Sequence, residues 1–188
     1  MSLAEPLSYI LLASVVCAVV MKLVDELADN HVNLKGAEVF AVGYGFILAW
    51  LATRAELFPV FLALTIGVFA AGKIDHILHY IGLATFIVLF LFFYLTAAPG
   101  TQPAITLAPL ILLVFLSLAS YSDEQPASRF PKFLAYAVEN RLFLEVATII
   151  AAIATNNAIL VLSLISFDIA YKVTAKSMQG VQYSSVKK

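Results

Sequence analysis

Residues Phe133 to Lys176 read FLAYAVENRLFLEVATIIAAIATNNAILVLSLISFDIAYKVTAK, and the fold turns on how this stretch divides. A helix crossing the hydrocarbon core of a bilayer, about 30 Å thick, needs roughly 17–25 mostly apolar residues. The stretch is too long for one such span, and its one turn signal is Thr155-Asn156-Asn157. Asparagine tolerates the left-handed backbone conformation, and Ser/Thr/Asn clusters cap helices. The reading is a hairpin: a sixth span, Phe133 to Ala154, and a seventh, Ala158 to Ala175. One long tilted helix, giving six spans, is the alternative.

Working outward, five more apolar runs precede the hairpin: Pro6 to Ala28, Ala37 to Thr53, Leu57 to Asp75, Tyr80 to Ala97 and Ala104 to Tyr121. Polar residues Asn30 to Gly36, the breakers Pro99-Gly100 and Pro103, and the loop Ser122 to Pro131 separate them. Composition agrees. Apolar residues make up 62% of the chain, charged residues only 12%, and mean hydropathy is +0.97. Soluble domains carry about 25% charge. The expected fold is an all-α integral membrane protein, a bundle of seven transmembrane helices over residues 1–176. Residues 177–188 are expected to form a loosely ordered polar tail.

Charge sets the expected orientation. Seven spans gather Lys22, Lys35, Lys73, Arg129, Lys132, Arg141, Lys172, Lys176, Lys187 and Lys188 on one side, and leave Arg54 on the other. Basic residues collect in the cytoplasm, so the N-terminus is expected outside and the C-terminus inside. The first run follows Glu5 with no basic residue before it, which reads as a retained span and not a removable signal. Eleven Lys+Arg against twelve Asp+Glu leave no basic excess for nucleic acid. Cys17 is the lone cysteine, which excludes a disulfide framework.

Two groups of residues could carry chemistry. Asp25 and Asp29, and likewise Asp75 and His79, are four positions apart, so each pair shares a face if both are helical. Together they are candidate ligands for a divalent metal, Mg²⁺ or a transition metal, with Glu26 and His76 close by. Lys22 and Lys73 are candidates for binding an anionic headgroup. The plainer reading is helix-end residues reaching towards water and pairing with lysines.

The second group is expected deeper. Glu145 and Asp168 are equidistant from the Asn156-Asn157 turn, which at about 1.5 Å per residue places each roughly 17 Å from it, near mid-bilayer. Arg141 and Lys172 lie one helical turn from these acids and could neutralise them. Charges at that depth are costly and usually mark a substrate, ion or proton path. A four-charge clamp fixing the hairpin is the structural alternative. Ala63, Gly67 and Ala71, and Ala147, Ala151 and Thr155, read as helix-packing seams. Trp50, Tyr94, Tyr121 and Tyr136 read as interfacial anchors, and Asp123 with Glu124 as a solvated loop.

Asp25-Glu-Leu-Ala-Asp29 resembles the DxxxD element of intramembrane prenyltransferases, which implies Mg²⁺ and a diphosphate at a cytoplasmic cavity. Those enzymes have nine spans and an Asn-rich first motif, and this chain has neither. Asp168-Ile-Ala-Tyr-Lys172 is similar to the DxxxK element in the last helix of microbial rhodopsins, but their Arg-Tyr-x-Asp-Trp element is missing. The chain is assigned to neither family.

The expected function is a small membrane-embedded enzyme acting on a phosphorylated or isoprenoid lipid at a cytoplasm-facing cavity. Glu145 or Asp168 would act as acid or base, Arg141, Lys172, Lys22 and Lys73 would bind substrate, and Asp25, Asp29, Asp75 and His79 would hold metal. The alternatives are a proton- or cation-coupled transporter using the Glu145–Asp168 layer, or a non-catalytic subunit. Membrane lipids are the expected partners, with a second copy of the chain or a membrane complex also open.

Overall fold

A computed structural model describes residues 6–29, 36–97 and 106–185, which are 85% helical and contain no strand. Eight α-helices follow in order: α1 Leu7–Asp29, α2 Ala37–Ala52, α3 Phe58–Ala70, α4 Ile77–Thr96, α5 Leu107–Asp123, α6 Lys132–Glu139, α7 Leu142–Thr155 and α8 Ala158–Ser185. Three are long and apolar enough to cross a bilayer: α1, α4 and the Ala158–Met178 part of α8. Helices α2, α3, α5 and α7 are apolar but shorter. This is a membrane protein. The polar link at 30–35, the breakers Pro99, Gly100 and Pro103, and the terminal Lys187 and Lys188 lie outside the described residues.

The helices pack as an incomplete circuit. Helix α4 lies on α2, α2 on α1, α1 on α8, α8 on α7, α7 on α5, and α5 on α3. Helices α2 and α3, linked by a tight turn through Thr53 to Leu57, also touch. Consecutive α3 and α4 do not pack along each other as the other neighbours do. They meet where Phe58 stacks on Phe90, ring centres 6.3 Å apart. Small residues allow the close approaches. Gly67 of α3 sits against Ser120 of α5, whose hydroxyl donates to the Leu64 carbonyl at 3.4 Å. Gly82 of α4 receives the Tyr44 ring of α2. Of the two expected packing seams, Ala63, Gly67, Ala147 and Ala151 are buried, whereas Ala71 is half-buried and Thr155 is exposed at the end of α7.

The hairpin forms at the expected asparagines. Asn156 ends α7 in the left-handed conformation (φ 51°), and the Asn157 side chain accepts the Ile159 N–H at 3.2 Å. Its other end differs from the expected single span, because the helix breaks at Asn140-Arg141. Arg141 takes φ 57°, separating the short α6 from α7. On α6, Val138 is buried while Phe133 and Tyr136 are exposed. Helix α8 continues to Ser185, through most of the segment read as a tail.

Candidate functional site

Helices α1, α3 and α5 end, and α2, α4 and α7 begin, at one pole of the bundle, past which α8 continues to Ser185, and a cavity of about 370 Å³ opens among them. Lys22, Asp25 and Asp29 reach it from α1, and Tyr44 and Leu48 from α2. Leu64 and Val68 line it from α3, Lys73 and Asp75 from the next link, and His79, Leu83 and Phe86 from α4. Glu124, Arg141, Phe167 and Tyr171 complete the wall. The first expected group, Asp25, Asp29, Asp75 and His79 with Lys22 and Lys73, therefore does share one space.

Its helical register needs correction. Asp75 and His79 are not on one helix face. Gly72, at φ 69°, follows the end of the third helical run, and residues 73–75 belong to no helix or strand. His76 then caps α4, its Nδ1 accepting the Leu78 N–H at 3.3 Å. A glycine able to turn left-handed, followed by a capping side chain, converts the expected helix end into a link. Asp75 is thus carried by the link and His79 by the first turn of α4.

At the centre of the cavity, residues from both expected groups gather around Tyr171, which the sequence did not single out. The Tyr171 hydroxyl donates to Asp25 Oδ2, and His79 Nε2 lies 3.7 Å from Asp25 Oδ1. The Lys22 ammonium and the Arg141 guanidinium each sit 5.3 Å from the Tyr171 ring centre, within cation–π range. Phe167 stacks on the same ring at 6.3 Å. Lys22 also pairs with Glu26 at 2.9 Å. Tyr44 donates to the His79 carbonyl at 3.4 Å, holding the first turn of α4 against α2. The only clue in the sequence was that Tyr171 falls between Asp168 and Lys172, on a helix already carrying charge.

The second group assembles differently from expectation. Lys172 Nζ joins the hairpin acids, lying 3.3 Å from Glu145 Oε1 and pairing with Asp168. It also donates to the Asn140 carbonyl at 3.0 Å, at the helix break. Arg141 is not the partner of Glu145. Its left-handed backbone turns the guanidinium away from α7 to pair with Glu124. Glu145 and Asp168 line a smaller pocket of about 20 Å³, room for roughly one water. That pocket shares Leu64, Glu124, Arg141 and Phe167 with the main cavity.

Asp123 and Glu124 are not a solvated loop. Asp123 is buried, and its carboxylate accepts the Phe143 N–H at 3.0 Å and the Leu144 N–H at 2.7 Å. It therefore caps α7 from the end of α5, satisfying two of the donors that every helix start leaves open. With Asp123 as cap and Glu124 holding Arg141, adjacent residues fix the start of α7 and one wall of the cavity.

The charged lining comprises Lys22, Lys73 and Arg141 against Asp25, Asp29, Asp75 and Glu124, so with neutral histidine it carries one net negative charge. Asp29 and Asp75 make no ion pair among the described residues. Among those residues, no three His, Cys, Asp or Glu side chains are grouped closely enough to hold a metal ion unaided. Mg²⁺ does not require such a group, because it commonly keeps several waters and takes one or two carboxylates plus substrate phosphate oxygens. No protein-family model, curated protein or solved structure matches this chain.

Proposed function

We propose that this protein is a seven-span membrane enzyme, N-terminus outside and C-terminus cytoplasmic, acting on a phosphorylated lipid that it binds together with Mg²⁺. The observation that carries the reading is the cavity, where cations and acids converge at one pole and Leu48, Leu64, Val68, Leu83 and Phe86 continue the wall in hydrocarbon. An amphiphile with a charged head is the chemistry that suits both halves. The cavity lies at the pole expected to be cytoplasmic, the side to which the seven-span reading assigns ten of the eleven basic residues.

Lys22, Lys73 and Arg141 bind the phosphate. Asp29 and Asp75 are the residues that would hold the Mg²⁺ that accompanies it. Charge supports the pairing: a phosphate dianion alone would enter an already negative cavity, whereas a divalent cation offsets its charge. A metal there supplies Lewis-acid polarisation of a phosphoryl oxygen. Asp25, His79 and Tyr171 are the proton-handling groups, each within hydrogen-bonding or near-contact range of the next. Glu145, Asp168 and Lys172 are positioning residues that brace α7 against α8.

The test is equilibrium binding of dodecyl phosphate and of uncharged dodecanol to the full chain in nanodiscs, with and without Mg²⁺. Dodecyl phosphate should bind more tightly with Mg²⁺ by about tenfold or more, in the range of a two-carboxylate contact. Lys22→Gln and Arg141→Gln should each weaken it. Equal binding of dodecanol, or indifference to both substitutions, would remove the basis for a phosphate ligand. The transport alternative rests on the water-sized pocket beside Glu145 and Asp168. Proton or cation flux abolished by Glu145→Gln, with no phosphate binding, would favour it.

A further inference from the structure

The open place in the helix circuit and the polar cavity lie together. Every pair of circuit neighbours packs closely except α3 and α4, and both of those helices line the cavity. Most residues the two helices give the cavity beyond its charged end are apolar, Leu64 and Val68 on α3 and Leu83 and Phe86 on α4, and the hydroxyl of Thr65 donates to the Phe61 carbonyl of its own helix at 3.0 Å. Phe58 stacked on Phe90 bridges the two helices towards the opposite pole. The gap is therefore a wedge, closed at one end and continuous with the charged lining at the other.

Size adds a constraint. A cavity of about 370 Å³ stands at the low end of small-molecule sites. It holds a headgroup and the first carbons of a chain, but not a whole long-chain lipid. The remaining chain must leave the cavity, and the surrounding pairs of packed helices offer no comparable separation.

Building on the lipid-phosphate reading, we propose that the α3–α4 cleft is a lateral portal to the bilayer that seats the chain of a single-chain lipid phosphate. The headgroup lies at the charged pole, and the chain runs past Val68 and Leu83 into the hydrocarbon. The Phe58–Phe90 stack keeps the two helices together at the far end of the cleft, so the occupant proposed has one chain, as a lysolipid or linear polyprenyl phosphate does, and not two. Val68 and Leu83 are half-buried, which leaves the chain a route between them.

The experiment compares dodecyl phosphate with butyl phosphate on the full chain in nanodiscs, for the native protein and for Leu83→Trp. Filling the cleft should weaken dodecyl phosphate by at least about tenfold more than it weakens butyl phosphate, since only the longer chain uses the cleft. A second readout does not depend on the tryptophan folding. In Val68→Cys, labelling by a lipophilic maleimide should be slowed severalfold by saturating dodecyl phosphate and not by butyl phosphate. If both phosphates bind but neither readout depends on chain length, the portal is wrong and the lipid-phosphate reading stands. If neither phosphate binds the native protein, both fall together.

Discussion

Tyr171 joins more of the cavity than any other residue, touching Asp25 through its hydroxyl and Lys22, Arg141 and Phe167 through its ring. Tyr171→Phe keeps the ring and removes only the hydroxyl. It should leave phosphate binding within about threefold while depressing turnover of the bound lipid, and it should cost about 1 kcal/mol of stability, the usual worth of one hydrogen bond. Unfolding in denaturant and single-turnover rates separate the two effects. Asp123 carries a different load. Asp123→Ala removes both acceptors from the start of α7, so it should destabilise by about 1–2 kcal/mol. Unfolding with no loss of midpoint would show that α7 starts without its cap.

Lys172 makes the third residue-scale case. With 40% of its side chain exposed, solvent screens it, so removing it should cost less than the roughly 3–5 kcal/mol of a fully buried pair. Lys172→Met leaves Glu145 and Asp168 as neighbouring acids without their shared cation. Adding Glu145→Gln should recover part of the loss, measured as unfolding midpoints of the single and double variants. A double variant no better than the single would mean that Lys172 acts through the Asn140 carbonyl instead.

At the scale of elements, glycine positions separate packing from propensity. Gly82 and Gly43 both lie within helices, but a Cβ at Gly82 would overlap the Tyr44 ring while one at Gly43 meets nothing within 4 Å. Gly82→Ala should therefore destabilise by about 1–3 kcal/mol through overpacking of α2 on α4. Gly43→Ala should be neutral or stabilise by up to about 1 kcal/mol, the helix-propensity difference. Thermal unfolding in detergent reads both. The same scale explains what the sequence could disclose. Asn156-Asn157 was legible as a turn because it interrupts an apolar run, and its left-handed backbone is what asparagine tolerates. Arg141 gave no such signal, since arginine is rarely left-handed and its conformation is held by its Glu124 and Tyr171 contacts. The apolar run to Asp75 gave no sign that its helix stops at Ala70 or that the next starts at Ile77; Gly72 and His76 together set those limits.

At the scale of the molecule, hydropathy exposed the membrane character, because a chain 62% apolar must meet lipid over most of its surface. Helix spacing could place Asp25 and Asp29 together, but not the meeting of Asp25 with Tyr171, which is 146 positions away and depends on α1 packing against α8. The pairing of Arg141 with Glu124 was hidden for the same reason. Under the proposed orientation, cysteine introduced at Gly100 should label with an impermeant reagent from outside intact cells, and cysteine at Gln125 should not. The reverse pattern would put the cavity on the outer face and separate it from cytoplasmic lipid substrates.

The most direct measurement is an experimental structure of the full chain in nanodiscs with dodecyl phosphate and Mg²⁺. The proposed site should show a phosphate within hydrogen-bonding distance of Lys22, Lys73 and Arg141, Mg²⁺ beside Asp29 or Asp75, and a chain lying between α3 and α4. A cavity filled only by water, with the amphiphile on the outer wall of the bundle, would contradict it.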